Sequence, residues 1–194
     1  GAAQTTDSAY VASNKKIVVG ITDYAPMDYK DENGNWTGFD AEFAQLFAKE
    51  LGVECEFFVI ADWSKKFYEL ETKNIDAVWN GMTITEEALL NASVSDPYVI
   101  NAQVVVTKAD ALEVYNSVEA LSGLTIAVES GSAGETYGQS FEGATIKGFN
   151  YQTDCLFEVN AGSVDFAVLD AQLAKATKWV ALAFVVLTLA LNLV

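Results

Sequence analysis

The chain has 194 residues, 51% of them hydrophobic and 20% charged, which supports a packed core and argues against disorder. Its formal net charge of −16 argues against nucleic acid and anionic lipid as partners, since phosphate recognition needs clustered Lys and Arg. It contains no His, so the usual general base and the commonest metal ligand are missing, and neither a metal nor a cofactor is expected.

The length suits one sizeable domain or two small lobes. Residues 1–15 are rich in Ala, Ser and Thr without a period, which predicts a flexible leader; no signal peptide is visible in them. Ile17-Val18-Val19-Gly20-Ile21 is a β-branched run and predicts a buried strand. A loop broken by Pro26 follows, and Asn33-Gly34 signals a tight turn. Apolar residues at 39, 43, 46, 47 and 51 have helical spacing, and Gly52 stops the helix. A strand over 53–60, a helix over 63–73 and a strand over 75–79 complete the first half.

The same grammar recurs with a strand at 124–128, a helix at 132–141, a strand at 145–149, a helix at 153–161 closed by Gly162, and a strand at 164–169. The halves share a phrase, Asn74-Ile75-Asp76-Ala77-Val78 and Ser163-Val164-Asp165-Phe166-Ala167-Val168. Strand–helix alternation of this kind implies parallel sheets with right-handed crossovers. The expected fold is therefore α/β, with a lobe at 16–104, a second at 105–178 and an apolar tail at 179–194.

Ligands on such sheets bind beyond the carboxyl ends of the strands. Those ends are Thr22-Asp23-Tyr24, Asn80-Gly81-Met82-Thr83, Glu129-Ser130-Gly131-Ser132 and Asp170. Cys55 and Cys155 lie far apart in apolar stretches, outside any C-x-x-C pair. Buried free thiols are the expectation, with a disulfide between them left open.

The same segments carry a resemblance. Asp23 to Tyr29, Trp36-Thr37-Gly38-Phe39-Asp40, Gly81-Met82-Thr83-Ile84-Thr85, Ser95-Asp96-Pro97-Tyr98 and Val128-Glu129-Ser130-Gly131-Ser132 resemble, in order, the consensus of family 3 solute-binding proteins. These serve ABC transporters for polar amino acids and have the two-lobed, type II periplasmic-binding-protein-like fold, with parallel-rich sheets and flanking helices. The resemblance runs from Lys16 to Ala176. It implies that Tyr24 and Trp63 wall the ligand, with a core role for Trp63 as the other reading, and that Asp23 reads its side chain or serves as a turn residue. The Gly81 carbonyl would accept from the ligand amino group, beside Asn80 and Met82. Thr83 would donate to its carboxylate, or else cap a helix over 84–90. Ser132 and the Ala133 N–H would seat the carboxylate at a helix start, although an ordinary N-cap uses the same atoms. Asp170 would take the ligand ammonium, its other reading being a solvated loop residue.

Two departures stand out. Family members commonly carry an Arg shortly after the Gly-Met-Thr motif, and the matching position here is Ala88. The tail from Trp179 to Val194 is nearly all apolar where a return to the first lobe is usual. Three readings are open for it: a rearranged end, a buried strand or helix completing a lobe, or a membrane segment, although it falls short of the ~20 residues that span a bilayer. The expected function is extracytoplasmic capture of a polar amino acid, by closure about a hinge near 99–108, and delivery to an ABC permease. The protein would be periplasmic or a cell-surface lipoprotein. A receptor ligand-binding domain is the alternative. A cyclohexadienyl-dehydratase-like enzyme is a further one, its acid–base pair drawn from Glu129 or Glu135 with Asp170.

Overall fold

Two units divide the chain in the computed structural model, which describes residues 6–176 and 182–185. One lies within Gly1–Ala61 and Lys65–Met82, the other within Asp62–Ser64 and Thr83–Val194.

The first unit begins with helix α1, Asp7–Asn14. A helix rather than a flexible leader therefore occupies this stretch. Thr6 caps it by accepting from the Ala9 N–H at 3.3 Å, Lys15 ends it in the left-handed conformation, and Val11 is buried in the unit's core beside Ile17 and Val19. Eight residues carry too little periodicity to announce a helix; packing against the sheet supplies the stability. Residues 1–5 lie outside the described residues.

Strand β1 is Lys16–Ile21, and β2, Tyr29–Lys30, pairs with β3, Trp36–Thr37, across the Asn-Gly turn. Asp31 shapes that turn by accepting from the N–H groups of Asn33 and Asn35, both at 2.8 Å. Helix α2, Phe39–Leu51, stops at Gly52 as the sequence predicts. Then come β4, Glu54–Val59; a 3-10 turn at Trp63–Lys65, of which Trp63 and Ser64 are counted with the second unit; α3, Lys66–Glu71; and β5, Ala77–Val78. The expected 63–73 helix is thus a turn followed by a shorter helix. The sheet order is β4-β1-β5, all parallel.

The second unit contains α4, Glu86–Asn91; β6, Gln103–Lys108; β7, Thr125–Glu129; α5, Ala133–Gly138; β8, Thr145–Phe149; α6, Gln152–Ala161; β9, Phe166–Asp170; α7, Ala171–Ala176; and β10, Leu182–Val185. Its sheet order is β10-β6-β9-β7-β8. Strands β8, β7 and β9 are parallel and repeat the second-first-third order of the other unit, while β6 and β10 add antiparallel pairings. The stretch expected to hinge divides here. Residues 103–108 form an internal strand in which Val105, Val106 and Thr107 are fully buried, and 99–102 lie outside any element. Of the apolar tail, 182–185 pairs with β6 and so extends this sheet; 179–181 and 186–194 lie outside the described residues. Among the described residues no helix is long and apolar enough to cross a membrane.

The shared phrase has one structural job in both units. Asp76 accepts from the Val18 N–H of β1 at 2.8 Å, and its own N–H donates to the Val18 carbonyl. Asp165 does the same with Thr125 of β7 at 2.7 Å. Each aspartate extends the sheet ladder by one residue where its strand enters beside the first strand. The phrase therefore fixes strand register, far from the carboxyl ends of the strands.

Candidate functional site

Each unit gathers part of the expected site at the carboxyl ends of its strands. In the first unit, Asn80 straps the ends of β1 and β5 together. Its Oδ1 accepts from the Thr22 N–H at 2.6 Å, and its Nδ2 donates to Thr22 Oγ1 at 2.7 Å, all buried. The Asn80 side chain is thus committed to Thr22, and its contribution to the site is to fix the backbone on either side. Asp23 follows Thr22 and is exposed, while Tyr24 is 3% exposed. The loop after it closes through a Tyr24 N–H bond to the Asp28 carbonyl at 2.7 Å and an Asp28 N–H bond back to Tyr24 at 2.9 Å.

Gly81 has φ +60°, and a Cβ there would lie 3.0 Å from Tyr24 Cε1 and 3.6 Å from Asp40 Oδ2. Both the left-handed backbone and the close ring therefore call for glycine. The structure brings Tyr24, Gly81 and Asp40 together, and with them a group that sequence reasoning missed. Asp28 is fully buried, and no donor reaches either carboxylate oxygen with hydrogen-bond geometry. Burial first, and then the neighbouring charges of Asp40 and Asp23, push its carboxyl up to about 8, partly offset by the Ala41 N–H. Asp28 therefore carries a proton at neutral pH.

Met82 and Thr83 are both half-buried, and the division between the units falls between them. The N-cap of α4 is Thr85, which accepts from the Ala88 N–H at 3.2 Å, so Thr83 is not spent on that cap. Ala88 is 1% exposed, and the chain contains no arginine anywhere, so no guanidinium clamp is available. Trp63 is 6% exposed and begins its turn behind Asp62, whose carboxylate accepts from the Ser64 N–H at 3.0 Å and hydroxyl at 2.6 Å.

In the second unit, Ser132 caps α5 by accepting from the Glu135 N–H at 3.2 Å, and the Ala133 N–H opens the helix. Glu135 in turn accepts from the Gly131 N–H at 2.7 Å, which completes a reciprocal cap. Gly134 allows α5 to lie against the sheet. A Cβ there would meet the Val168 carbonyl at 2.6 Å, Gln103 Oε1 at 3.1 Å and Ser132 Oγ at 3.2 Å.

Asp170, at the end of β9, is 7% exposed and is not a solvated loop residue. Its Oδ1 accepts from Asn101 Nδ2 at 2.5 Å and Gln103 Nε2 at 2.6 Å. Its Oδ2 accepts from Gln152 Nε2 at 2.5 Å, while its own N–H donates to Gln152 Oε1 at 2.9 Å. Gln152 Nε2 also reaches Glu129 Oε2 at 3.4 Å. These three carboxamides fix the orientation of the carboxylate. Sequence reasoning missed Asn101, Gln103 and Gln152. The available signal was polar residues flanking the apolar strand at 104–106 and opening a helix, but neither says which carboxylate they serve.

Cys55 and Cys155 are free. Burial pushes the Cys55 thiol up to about 11, and burial with the nearby Glu129 raises that of Cys155 as well. Both stay protonated and unreactive at neutral pH. Among the described residues, no group of three or more Cys, Asp or Glu side chains is arranged to hold a metal.

A model of the bacterial extracellular solute-binding proteins, family 3, matches residues 17–182. The chain belongs to this family. It is 30% identical, over 88% of its length, to the arginine-binding extracellular protein ArtP of Bacillus subtilis, covering 67% of that protein. It is 29% identical, over 84% of its length, to the histidine-binding periplasmic protein of Escherichia coli, covering 64% of it. The chain thus spans about two thirds of these curated relatives, 67% and 64%. Among solved structures, a truncated, arginine-bound ArgBP from T. maritima superposes with TM-score 0.85 at 34% identity, over 90% of this chain and 84% of that one. An ancestral amino acid-binding protein, described as a precursor of cyclohexadienyl dehydratase, superposes with TM-score 0.86 at 33% identity, over 93% of this chain and 81% of that one. The α/β, periplasmic-binding-protein-like fold expected from the sequence is therefore the fold of this family 3 chain.

Proposed function

We propose that this family 3 protein captures a polar amino acid outside the cytoplasm by hinge closure and hands it to an ABC permease, without chemistry on the ligand. The observation that carries the reading is Asp170: a buried carboxylate at a strand end, oriented by three neutral carboxamides. A carboxylate oriented at a strand end can accept a hydrogen bond from an amino acid's ammonium. Tyr24, Trp63, Gly81 and Met82 would line the ligand, with Asn80 holding Gly81 in place. Asp23 would face a polar or cationic side chain, and Thr83, Ser132 and the Ala133 N–H would receive the carboxylate. The relatives' names, arginine-binding and histidine-binding, make those two amino acids the first candidates. A cell-surface lipoprotein and a soluble periplasmic form both suit this role.

Glu129 and Glu135 bear on the dehydratase alternative. Glu135 is engaged at the Gly131 N–H, and Glu129 meets Asp170 through an amide that cannot relay a proton as a carboxyl would. That supports binding over catalysis. Calorimetry of ligand-stripped protein against the twenty amino acids tests the proposal. Binding of at least one, lost in Asp170→Asn, is expected; a folded sample that binds none sinks it.

A further inference from the structure

Asp28 sits where the loop after β1 meets the start of α2. The loop turns tightly on itself: the Tyr24 N–H donates to the Asp28 carbonyl at 2.7 Å, and the Tyr24 carbonyl accepts from the Met27 and Asp28 N–H groups at 2.8 and 2.9 Å. It is then tied to the helix. No side chain caps α2 at Gly38; the Pro26 carbonyl instead accepts from the Phe39 N–H at 3.2 Å, and the Met27 carbonyl from the Asp40 N–H at 2.9 Å. This joint encloses the Asp28 carboxyl, which is fully buried and meets no donor in full hydrogen-bond geometry.

The charges that act on Asp28 are negative: Asp40 from α2 and Asp23 from the same loop, with the Ala41 N–H pulling the other way. Residues 77–82, which bring Gly81 to the Tyr24 ring, hold no titratable side chain. Lys30, the nearest cation in sequence, lies over the Trp36 ring at 5.2 Å. A carboxylate enclosed without a cation is costly, so its ionisation favours any movement that admits water. The movement at hand is release of the loop from α2, because backbone bonds at the first turn are what tie it there. Tyr24 belongs to that loop, and a Cβ on Gly81 would lie 3.0 Å from its ring. Release of the loop therefore also releases the contact between Tyr24 and Gly81.

We propose that Asp28 is a proton-operated latch: while its carboxyl is protonated the loop seals onto α2 and holds Tyr24 against Gly81, and when the proton leaves, the loop lifts and ligand affinity falls. Asp28 is thus a positioning residue that acts through Tyr24. The sign follows from a carboxyl raised to about 8: the latch is closed below that pH and opens as pH rises through it. This inference rests on the reading of Tyr24 and Gly81 as residues that line the ligand.

The test compares wild type with Asp28→Asn, which keeps the shape of the protonated acid and cannot titrate. Asp28→Ser, equally unable to titrate, serves if the Asn variant does not fold. L-arginine is titrated calorimetrically at half-unit steps from pH 6 to 9, with circular dichroism confirming the fold at each step. The ligand's own titration is common to both proteins and cancels in their ratio. Relative to the variant, wild-type affinity is expected to fall about tenfold across this range, as the protonated fraction does. Amide hydrogen exchange at Tyr24, Met27 and Asp40 in ligand-free protein, taken as the same ratio, is expected to rise over the same range. A role in packing alone would shift affinity equally at every pH; a ratio that stays within twofold from pH 6 to 9 overturns the inference and leaves the capture reading standing. Exchange ratios that do not change with pH overturn it too. Wild type whose loop responds to pH but which binds no L-arginine at pH 6 overturns the link to that ligand and counts against the capture reading.

Discussion

Asp28→Asn isolates the buried acid of the first unit. Asp28 is fully buried with no donor in full hydrogen-bond geometry, and burial beside Asp40 and Asp23 pushes its carboxyl up to about 8 against the weaker pull of the Ala41 N–H. In the unfolded chain it titrates near 3.9. The folded state therefore binds more protons than the unfolded state between those values, and stability falls as pH rises through that window. The slope approaches about 1.4 kcal/mol per pH unit. Between pH 5 and pH 8 this group alone removes about 3–4 kcal/mol from wild type, an upper figure for a site that admits no water. Asparagine has nearly the shape of the protonated acid and does not titrate. Urea unfolding of both proteins at half-unit steps from pH 5 to 8 reads the difference directly, because the remaining carboxylates titrate in both. The variant is expected to gain on wild type steadily as pH rises. A difference that changes by less than about 0.5 kcal/mol over that range would mean that Asp28 is ionised in the folded protein, and the burial argument would be wrong.

Asn80→Ala leaves the Thr22 N–H buried without its acceptor, which costs about 1–3 kcal/mol in urea unfolding; a loss under about 0.5 kcal/mol would show that the strap is redundant. The paired aspartates make a crossed test. Asp76→Ala is expected to speed hydrogen exchange at the Val18 amide and not at Thr125, and Asp165→Ala the reverse, each destabilising by about 1–2 kcal/mol. Exchange that rises equally at both amides would refute the local-clamp account. Half-buried Cys55 and buried Cys155 are expected to resist a thiol reagent at pH 7.5 in buffer and to react fully in 6 M urea; rapid reaction with the folded protein would contradict their raised pKa values.

The alternation of strands and helices from β1 to β5 and from β7 to β9, the stops at Gly52 and Gly162, the Asn-Gly turn and the carboxyl ends that carry Asp23, Gly81, Ser132 and Asp170 were legible in the sequence. They depend on local chemistry: residue periodicity, β-branching and glycine's access to positive φ. Tertiary structure decided the rest. The apolar spacing of α2 announces a helix, but the buried face is Ala41, Ala44 and Ala48, with Phe39 and Leu46 left 51% and 59% exposed. Periodicity gives the period and not the facing, and small side chains let the helix lie close to the sheet. Helix α1, too short to signal itself, exists because Val11 finds the core. Asp170 was named from its place at a strand end, but its three carboxamide partners lie 69, 67 and 18 residues away in the chain, and no local pattern links them. The charge state of Asp28 likewise follows from burial against Asp40, which only the closing of the Tyr24–Asp28 loop onto the start of α2 brings about.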